Sequence, residues 1–188
     1  MEYINQQTFS KQNFSTYALV LAEYESCVFT NCDFSNCNLS NYKFLECEFD
    51  YCNFSLAQLK NTALCEAVFK DCKMLGLHFE NCLEFGLSFT FDNCNLNHSS
   101  FYKTKIKKTV FKNSQLQEVD FSETELSASI FANCDCLNAK FERTNLEKCD
   151  FRTAFNFSIN PNTNKIKKAK FSTNNITGLL HQFDVEIY

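Results

Sequence analysis

The chain has 188 residues and a mass of 21.8 kDa, enough to bury a core in one domain or one elongated array. Hydrophobic residues make up 45% and charged residues 21%, which excludes a disordered polyelectrolyte, and the net charge of −4 argues against a general affinity for phosphate backbones. Only three Gly and one Pro stand beside 22 Phe and 12 Cys, so the chain either reverses rarely or turns without the usual turn residues.

The N-terminal thirty residues show no basic start followed by an apolar run and a small-residue cleavage site, so no signal peptide is predicted. The longest apolar stretch, residues 17–22, is far shorter than the roughly 20 residues that cross a bilayer. These features predict a cytoplasmic protein without a membrane partner, whose cysteines stay reduced.

A five-residue repeat dominates the chain. Every fifth residue from Ile4 to Phe79 is apolar, over sixteen positions, and the same holds for thirteen positions from Phe91 to Phe151. Helices and ordinary strands cannot gather side chains five apart on one face. A solenoid with four short sides per turn can, because each side then contributes one large inward residue, here called position i.

Position i−2 also points inward in this arrangement, into a smaller space. It holds mainly Cys, Ala, Ser and Thr, as at Cys47, Cys52, Ala67 and Thr124, with Tyr42 as one of few exceptions. Four sides of five residues make a twenty-residue coil, and the twenty-residue column from Phe9 to Phe69, resumed from Phe91 to Phe171 after a two-residue shift, is pure Phe. Stacked rings about 4.8 Å apart are expected if adjacent coils pair like strands.

The repeats CDFSN at 32–36, CNLSN at 37–41, CEFDY at 47–51, AKFER at 139–143 and TNLEK at 144–148 match the A(D/N)LxX pattern. Over about residues 4–155 the chain thus resembles the pentapeptide-repeat proteins. The resemblance implies an all-β fold, a right-handed quadrilateral parallel β-helix of about eight or nine coils, over 1–158, followed by a capping and dimerisation segment over 159–188.

Ten of the twelve cysteines occupy position i−2 or its equivalent, which indicates that they act as small buried residues rather than metal ligands. Cys65 is predicted to point outward and is the candidate reactive thiol. No nucleophile, His and carboxylate share a recognisable pattern, and no Gly-rich phosphate loop occurs. The sequence therefore predicts a non-enzymatic protein without cofactor or metal.

Charge is divided unevenly along the chain, with a balance of −7 over residues 1–100 and +3 over 101–188. Acidic residues of successive coils are predicted to form an acidic stripe on one side and its adjoining corner. The segment 103–112, KTKIKKTVFK, interrupts this stripe with positive charge. A solvated surface without a partner is the alternative interpretation of such a pattern. The predicted stripe comprises Glu23, Glu25, Glu46, Glu48, Asp50, Glu66 and Glu84.

The repeat breaks between Phe79 and Phe91, where two residues are gained and Glu84 falls at a predicted inward position. A bulge or loop is expected, because Phe85, Phe89 and Phe91 cannot all be inside, and Gly86 permits an unusual backbone angle. Phe85, Gly86 and Phe89 form a candidate contact loop, although a tolerated insertion without function is the simpler interpretation.

The tail is predicted to cover the open end of the solenoid, with a short helix over 176–182 and a strand over 185–188. The segment INPNTNKIKKAKF and the closing GLL resemble the C-terminal cap of the Qnr and McbG branch of the family. That resemblance implies a homodimer formed through the C-terminal end. Its predicted cap and dimer residues are Leu179, Leu180, Phe183, Val185 and Ile187.

Two functions follow as hypotheses. The resemblance to the Qnr branch implies a DNA mimic that binds DNA gyrase or topoisomerase IV and protects it from quinolones or toxins, with the acidic stripe standing in for phosphates and no direct nucleic-acid binding. The alternative is a structural or protein–protein interaction module with an unrelated partner, for which the flat sides of the solenoid serve as the platform.

Overall fold

The computed structural model of the chain describes residues 1–183, 185 and 186. Within these residues no helix has the length and apolar character needed to span a bilayer. Three short 3₁₀ helices cover Phe79–Asn81, Ile176–Leu179 and His181–Phe183. The described strands are β1 (Glu2–Asn5), β2 (Thr8–Ser10), β3 (Ala22–Glu25), β4 (Val28–Thr30), β5 (Lys43–Leu45), β6 (Glu48–Asp50), β7 (Ala63–Cys65), β8 (Ala67–Lys70), β9 (Phe89–Asp92), β10 (Val110–Lys112) and β11 (Ile130–Ala132).

The strands stack into two parallel sheets. One has four strands in the order β1-β3-β5-β7 and defines side 1; the other has seven, in the order β11-β10-β9-β8-β6-β4-β2, and defines side 2. Sides 3 and 4 are built from single-residue parallel bridges, such as Asn13–Asp33 on side 3 and Asn38–Gln58 on side 4. The chain passes along the four sides in turn, which confirms the predicted four-sided parallel β-solenoid.

The register confirms the twenty-residue coil. Phe9 pairs with Phe29 and Phe29 with Phe49 on side 2. The largest sheet has seven strands, fewer than the eight or nine coils predicted. The C-terminal coils continue this side through the single bridges Ile130–Asp150 and Asp150–Lys170, because a side this short can pair through one residue without forming a strand.

Aromatic rings fill the centre of the solenoid. On side 2 the rings stack from coil to coil, with centroids 4.7 Å apart for Phe9 and Phe29 and 4.4 Å apart for Phe131 and Phe151. Rings on neighbouring sides meet edge to face, as for Phe111 and Phe121 at 5.7 Å and 79°. Both geometries are favourable for aromatic pairs, so the column packs each Phe against rings above, below and beside it.

Position i−2 carries a hydrogen bond that the sequence analysis did not foresee. The thiol of Cys149 donates to the carbonyl of Leu126 at 2.9 Å, and the hydroxyl of Thr144 donates to the carbonyl of Phe121 at 2.8 Å. Both bonds reach the preceding coil, 23 residues back. Cys and Thr therefore serve the same role here, as small side chains that fit beside a corner and satisfy an inward carbonyl.

The corners explain how a chain with three glycines can turn so often. Twenty-six described residues other than Gly have positive φ, between 50° for Ser26 and 68° for Asn41, and nearly all stand two positions after an inward residue. Such a backbone costs about 1–2 kcal/mol for most residues. Hydrogen bonds between coils offset the cost: the N–H of Glu46, at φ 53°, donates to the carbonyl of Cys65 at 2.8 Å.

We expect two alanine-to-glycine changes to have opposite effects. Ala128 is a corner residue with φ 62°, so Ala128→Gly relieves strain and should raise the free energy of unfolding by up to about 1 kcal/mol. Ala139 is buried at position i−2, so Ala139→Gly should lower it by about 1 kcal/mol. Urea unfolding followed by circular dichroism measures both. A loss of stability in Ala128→Gly equal to that in Ala139→Gly would contradict the role assigned to the corners.

The C-terminal segment departs from the predicted helix and strand. The helix expected over 176–182 is replaced by the 3₁₀ helices Ile176–Leu179 and His181–Phe183, whose bonds span three residues, as from the N–H of Leu180 to the carbonyl of Thr177 at 2.9 Å. A longer helix is disfavoured because the segment starts with the β-branched Ile176 and Thr177, followed by Gly178. Val185 and Glu186 lie in no strand, and Ile187 is outside the described residues.

Solenoid pairing continues beyond residue 158, where the sequence placed the boundary of the repeat. Asn145 bridges Lys165 on side 1, and Asp150 bridges Lys170 on side 2. The N–H of Ile159 donates to the carbonyl of Gly178 at 2.9 Å, which fixes the tail across the last coil. The division at 158 and the capping role of the segment that follows it stay predictions.

Candidate functional site

The predicted acidic stripe wraps an edge of the solenoid instead of following one side. Glu23 lies on β3 on side 1, Glu48 on β6 on side 2, and Glu46 and Glu66 occupy the corner between the two sides. Glu25 and Asp50 complete the group on β3 and β6. The sequence analysis placed these acids on a single side and its adjoining corner. The five-residue spacing is the same on both sides of a corner, so it does not by itself assign an acid to one side or the other.

Ion pairs between coils neutralise part of this acidic edge. Lys43 bonds Glu23 at 2.9 Å, and Lys70 bonds Glu48 at 3.1 Å. Glu25 accepts a hydrogen bond from the hydroxyl of Tyr3. That bond comes from a neutral hydroxyl, so Glu25 keeps its negative charge, as do three further acids of the edge. Among residues 1–183, 185 and 186, no ion pair forms to Glu46, Asp50 or Glu66.

The basic segment 103–112 is largely neutralised by acids in adjacent coils. Its ion pairs join Lys103 to Glu123 at 3.5 Å, Lys105 to Glu84 at 2.5 Å, Lys107 to Glu125 at 3.7 Å and Lys112 to Asp92 at 2.8 Å. The hydrogen bond from Lys112 also lowers the pKa of the Asp92 carboxyl below its ordinary value. These four lysines therefore add little net charge to the surface, whereas Lys108, the fifth lysine of the segment, is in none of these ion pairs.

The corner between sides 1 and 2 changes sign along the solenoid. Its N-terminal half presents Glu46 and Glu66, and its C-terminal half presents Lys108, Lys148 and Lys168, all exposed at positive φ. Adjacent coils rise about 4.8 Å, so like charges repeat at short, fixed intervals in each half. Only the N-terminal half of this edge is acidic.

The repeat break forms a projecting loop on side 1. Pairing shifts from twenty to 22 residues between β8 and β9, where Phe69 faces Phe91, which confirms the two-residue gain. Phe89 and Phe91 are buried, whereas the Phe85 side chain is 95% exposed. Glu84, expected at an inward position, is exposed and bonded to Lys105, because the loop carries it out of the repeat register.

Gly86 closes this loop over Cys65. It has φ 74°, and a Cβ on it would lie 2.9 Å from the Cys65 sulfur. The thiol predicted to point outward is therefore half-buried beneath the loop, and this burial raises the pKa of Cys65 above its ordinary value. A raised pKa lowers the thiolate fraction, so Cys65 is a poorer nucleophile than an exposed cysteine.

A cleft of about 270 Å³ opens beside the loop, and the sequence analysis did not anticipate it. Its lining includes Phe79, Leu87, Tyr102 and Lys103. Glu80 contributes a buried carboxylate oxygen, Oε2, that accepts no hydrogen bond from the described residues. Period-five spacing places Glu80 among the outward residues, so only the local change of backbone at Phe79–Asn81 reveals its burial.

Some of the residues predicted to form the C-terminal cap and dimer contact pack against the core, and others are exposed. Leu179 packs against the core, and Leu180 is half-buried. Phe183 and Val185 are about half exposed, at 48% and 53%. Within the part of the chain that the structure describes, no three His, Cys, Asp or Glu side chains are grouped closely enough to hold a metal ion.

Comparisons with known proteins agree with this architecture. A family model described as a pentapeptide repeat region matches residues 87–155, and a model of eight pentapeptide repeats matches residues 27–64. A search of curated proteins returned no match.

Two solved structures show the same fold at low sequence identity. QnrB1, a plasmid-mediated fluoroquinolone resistance protein, is 17% identical over 99% of both chains, with a TM-score of 0.65. HetL, a pentapeptide-repeat protein involved in heterocyst differentiation regulation in the cyanobacterium Nostoc, is 16% identical over 100% of this chain and 93% of its own, with a TM-score of 0.70. With the repeat matched on both sides of the inserted loop and the four-sided coil in place, this chain belongs to the pentapeptide-repeat family.

Proposed function

We propose that this protein is a non-catalytic DNA mimic that occupies the DNA-binding surface of a type II topoisomerase, DNA gyrase or topoisomerase IV, and thereby protects the enzyme from quinolones or toxins. The observation that carries the proposal is the unpaired charge of Glu46, Asp50 and Glu66 on one rigid edge. The similarity to QnrB1, itself a fluoroquinolone resistance protein, supports it at the level of the fold.

The spacing of these acids suits a surface that normally holds a phosphate backbone. Glu46 and Glu66 occupy equivalent corners of adjacent coils, which rise about 4.8 Å along the solenoid axis, compared with a rise of about 3.4 Å along the DNA axis for each phosphate of one strand. The ladder of hydrogen bonds between coils holds each corner in place, so the charges need little ordering when they bind. Contacts of this kind should weaken as salt is added.

A triple charge reversal tests the acidic edge. The wild-type protein at micromolar concentration should reduce ciprofloxacin-stabilised cleavage complexes of gyrase, or alter supercoiling, and Glu46→Lys with Asp50→Lys and Glu66→Lys should abolish the effect. All three side chains lie on the surface, so circular dichroism should show an unchanged fold. Supercoiling and cleavage assays with and without ciprofloxacin measure the outcome.

A matched control carries the same change of charge elsewhere. Glu118, Glu142 and Glu147 lie outside the acidic edge, and their reversal to Lys should leave the activity intact. A wild-type protein that changes neither supercoiling nor cleavage complexes would refute the topoisomerase proposal, and equal loss in both triple variants would refute the role of the edge.

An interaction module with an unrelated protein partner is the second candidate. The exposed ring of Phe85, beside Gly86 and above the buried Phe89, favours it, because a large apolar side chain held out on a rigid repeat is typical of binding loops. The fold is also shared with HetL, which is involved in a different process. Phe85→Ser should abolish capture of such a partner while the gyrase assays stay unchanged.

We also propose a homodimer formed through the C-terminal end. The exposed apolar side chains of Phe183 and Val185 support it, since they are not packed against the core as Leu179 is. Phe183→Ser combined with Val185→Ser should convert the dimer to a monomer in sedimentation velocity. A wild-type protein that sediments as a monomer at micromolar concentration would contradict this proposal.

A further inference from the structure

The corner between sides 1 and 2 has the charge pattern of a self-complementary edge. Glu46 and Glu66 occupy this corner in two successive coils, and Lys148 and Lys168 occupy it in two successive coils nearer the C-terminal end. All four side chains are exposed, and none of them forms an ion pair within residues 1–183, 185 and 186. The edge therefore presents two acids and two lysines with the same spacing of one coil.

Lys108 lies at the midpoint of this pattern. β8 pairs with β9 and β9 with β10, so the corner at Lys108, which precedes β10, lies two coils beyond the corner at Glu66. Backbone hydrogen bonds between coils place the corner at Lys148 two coils further still. A two-fold axis that passes beside Lys108, perpendicular to the solenoid, would therefore bring Glu66 opposite Lys148 and Glu46 opposite Lys168.

A second copy of the chain in antiparallel orientation matches both halves of the edge at once. Each copy presents its two acids to the two lysines of the other, so the contact contains four pairs of opposite charge. The one like-charge contact is between the two Lys108 side chains, whose flexible stems let the ammonium groups separate. An interface of this kind uses the same patch on both subunits and closes, whereas a parallel arrangement would be displaced along the axis and continue into a filament.

The exposed apolar side chain of the inserted loop fits the same arrangement. Phe85 is 95% exposed in the coil just before that of Lys108. The two-fold axis places it opposite the coil just after Lys108, where side 1 and the corner carry the small side chains of Ser127 and Ala128. The projecting ring thus meets a surface with room for it, and its burial adds an apolar contribution to ion pairs that contribute little by themselves.

We propose that two copies of this chain associate side by side and antiparallel along the corner between sides 1 and 2, with Glu46 and Glu66 of each copy facing Lys168 and Lys148 of the other. Because exposed charges dominate the contact, it is weak, forms well above micromolar concentration and is lost as salt is added. It is separate from the dimer proposed through the C-terminal end and does not rest on a topoisomerase partner.

Sedimentation velocity tests this contact in a chain that carries Phe183→Ser and Val185→Ser, called the test chain, so that the C-terminal end does not contribute. At sub-millimolar concentration the test chain should sediment as a dimer in about 0.01 M salt, where the Debye length is about 30 Å. It should sediment as a monomer in about 1 M salt, where that length is about 3 Å. A monomer in both solutions would overturn the proposal.

Complementary charge reversals in the test chain identify the paired residues. The acid reversal, Glu46→Lys with Glu66→Lys, and the lysine reversal, Lys148→Glu with Lys168→Glu, should each weaken self-association at least ten-fold. An equimolar mixture of the two should form a mixed dimer, because every facing pair is again opposite in sign. Lys and Glu both occur at such corners with positive φ, as at Lys108, so the fold should be unchanged.

A matched control separates position from net charge. Glu118→Lys with Glu142→Lys gives the test chain the same net charge as the acid reversal, but both residues are exposed outside the corner between sides 1 and 2. Mixed with the lysine reversal, this control should form the mixed dimer at least ten-fold more weakly than the acid reversal does. Equal association in the two mixtures, or no mixed dimer in either, would refute the antiparallel contact. Since these assays contain no topoisomerase, their outcome and that of the gyrase assays are independent.

Discussion

Phe111→Ala is expected to lower the free energy of unfolding by about 3–5 kcal/mol, the usual cost of removing a large buried aromatic side chain. Phe111 is fully buried in the middle of the column on side 2. Its ring stacks on Phe91 at 5.3 Å and on Phe131 at 4.9 Å, and it meets the edges of Phe101 and Phe121. Removing it leaves all four rings facing a cavity that the rigid coils cannot close.

Urea unfolding monitored by circular dichroism measures this loss, and Glu48→Ala provides the control. Glu48 is exposed and forms an ion pair with the exposed Lys70, so its replacement should change stability by no more than about 0.5 kcal/mol. Equal costs at Phe111 and Glu48 would contradict the inward and outward assignment on which the fold rests.

The column of buried residues at position i was predictable from the sequence because the same packing repeats in every coil. From Tyr24 to Phe151 the large residues at position i are buried, except where the inserted loop shifts the register. Taking every fifth residue of the sequence is enough to find them. The same count identified Cys47 and Thr144 as inward. It could not show that their thiol and hydroxyl groups donate to carbonyls in the preceding coil, because that bond depends on the position of backbone atoms 23 residues away.

The corners show where local propensity is overridden. Positive φ favours Gly or Asn, yet Lys108 adopts φ 62° and Glu118 φ 57°. Each N–H at these corners bonds a carbonyl of the next coil, as from Lys108 to Ser127 at 3.0 Å. Hydrogen bonds between stacked coils stabilise a backbone conformation that Lys and Glu do not favour by themselves. The composition alone therefore indicated an unusual kind of turn but did not identify it.

The candidate site was predictable only in part. A pair such as Glu23 and Lys43 stands twenty residues apart, so the coil length alone could have identified it. The contact between Glu84 and Lys105 could not be found in this way, because Glu84 lies within the inserted loop, which breaks the twenty-residue register. Glu80 lies in the short 3₁₀ helix Phe79–Asn81 at the start of the same break, so counting in fives could not show that one of its carboxylate oxygens is buried.

Gly178→Ala is expected to detach the C-terminal cover and lower the free energy of unfolding by about 3 kcal/mol, at the upper end of the usual cost of overpacking. A Cβ at Gly178 would lie 2.6 Å from the carbonyl oxygen of Phe157. That oxygen belongs to backbone held by the buried Phe157 ring, which packs against Phe151 at 5.5 Å and Phe171 at 5.6 Å. Neither partner can move without opening the last coil.

Thr177→Ala is the control, because Thr177 is exposed in the same 3₁₀ helix and its replacement should cost no more than about 0.5 kcal/mol. Thermal unfolding and limited proteolysis measure the two variants, and only Gly178→Ala should become sensitive to cleavage after residue 159. Wild-type stability and protease resistance in Gly178→Ala would show that the tail does not cover the last coil. Loss of the cover exposes Phe171 and unpaired backbone together, so Gly178→Ala should also aggregate at temperatures where Thr177→Ala stays in solution.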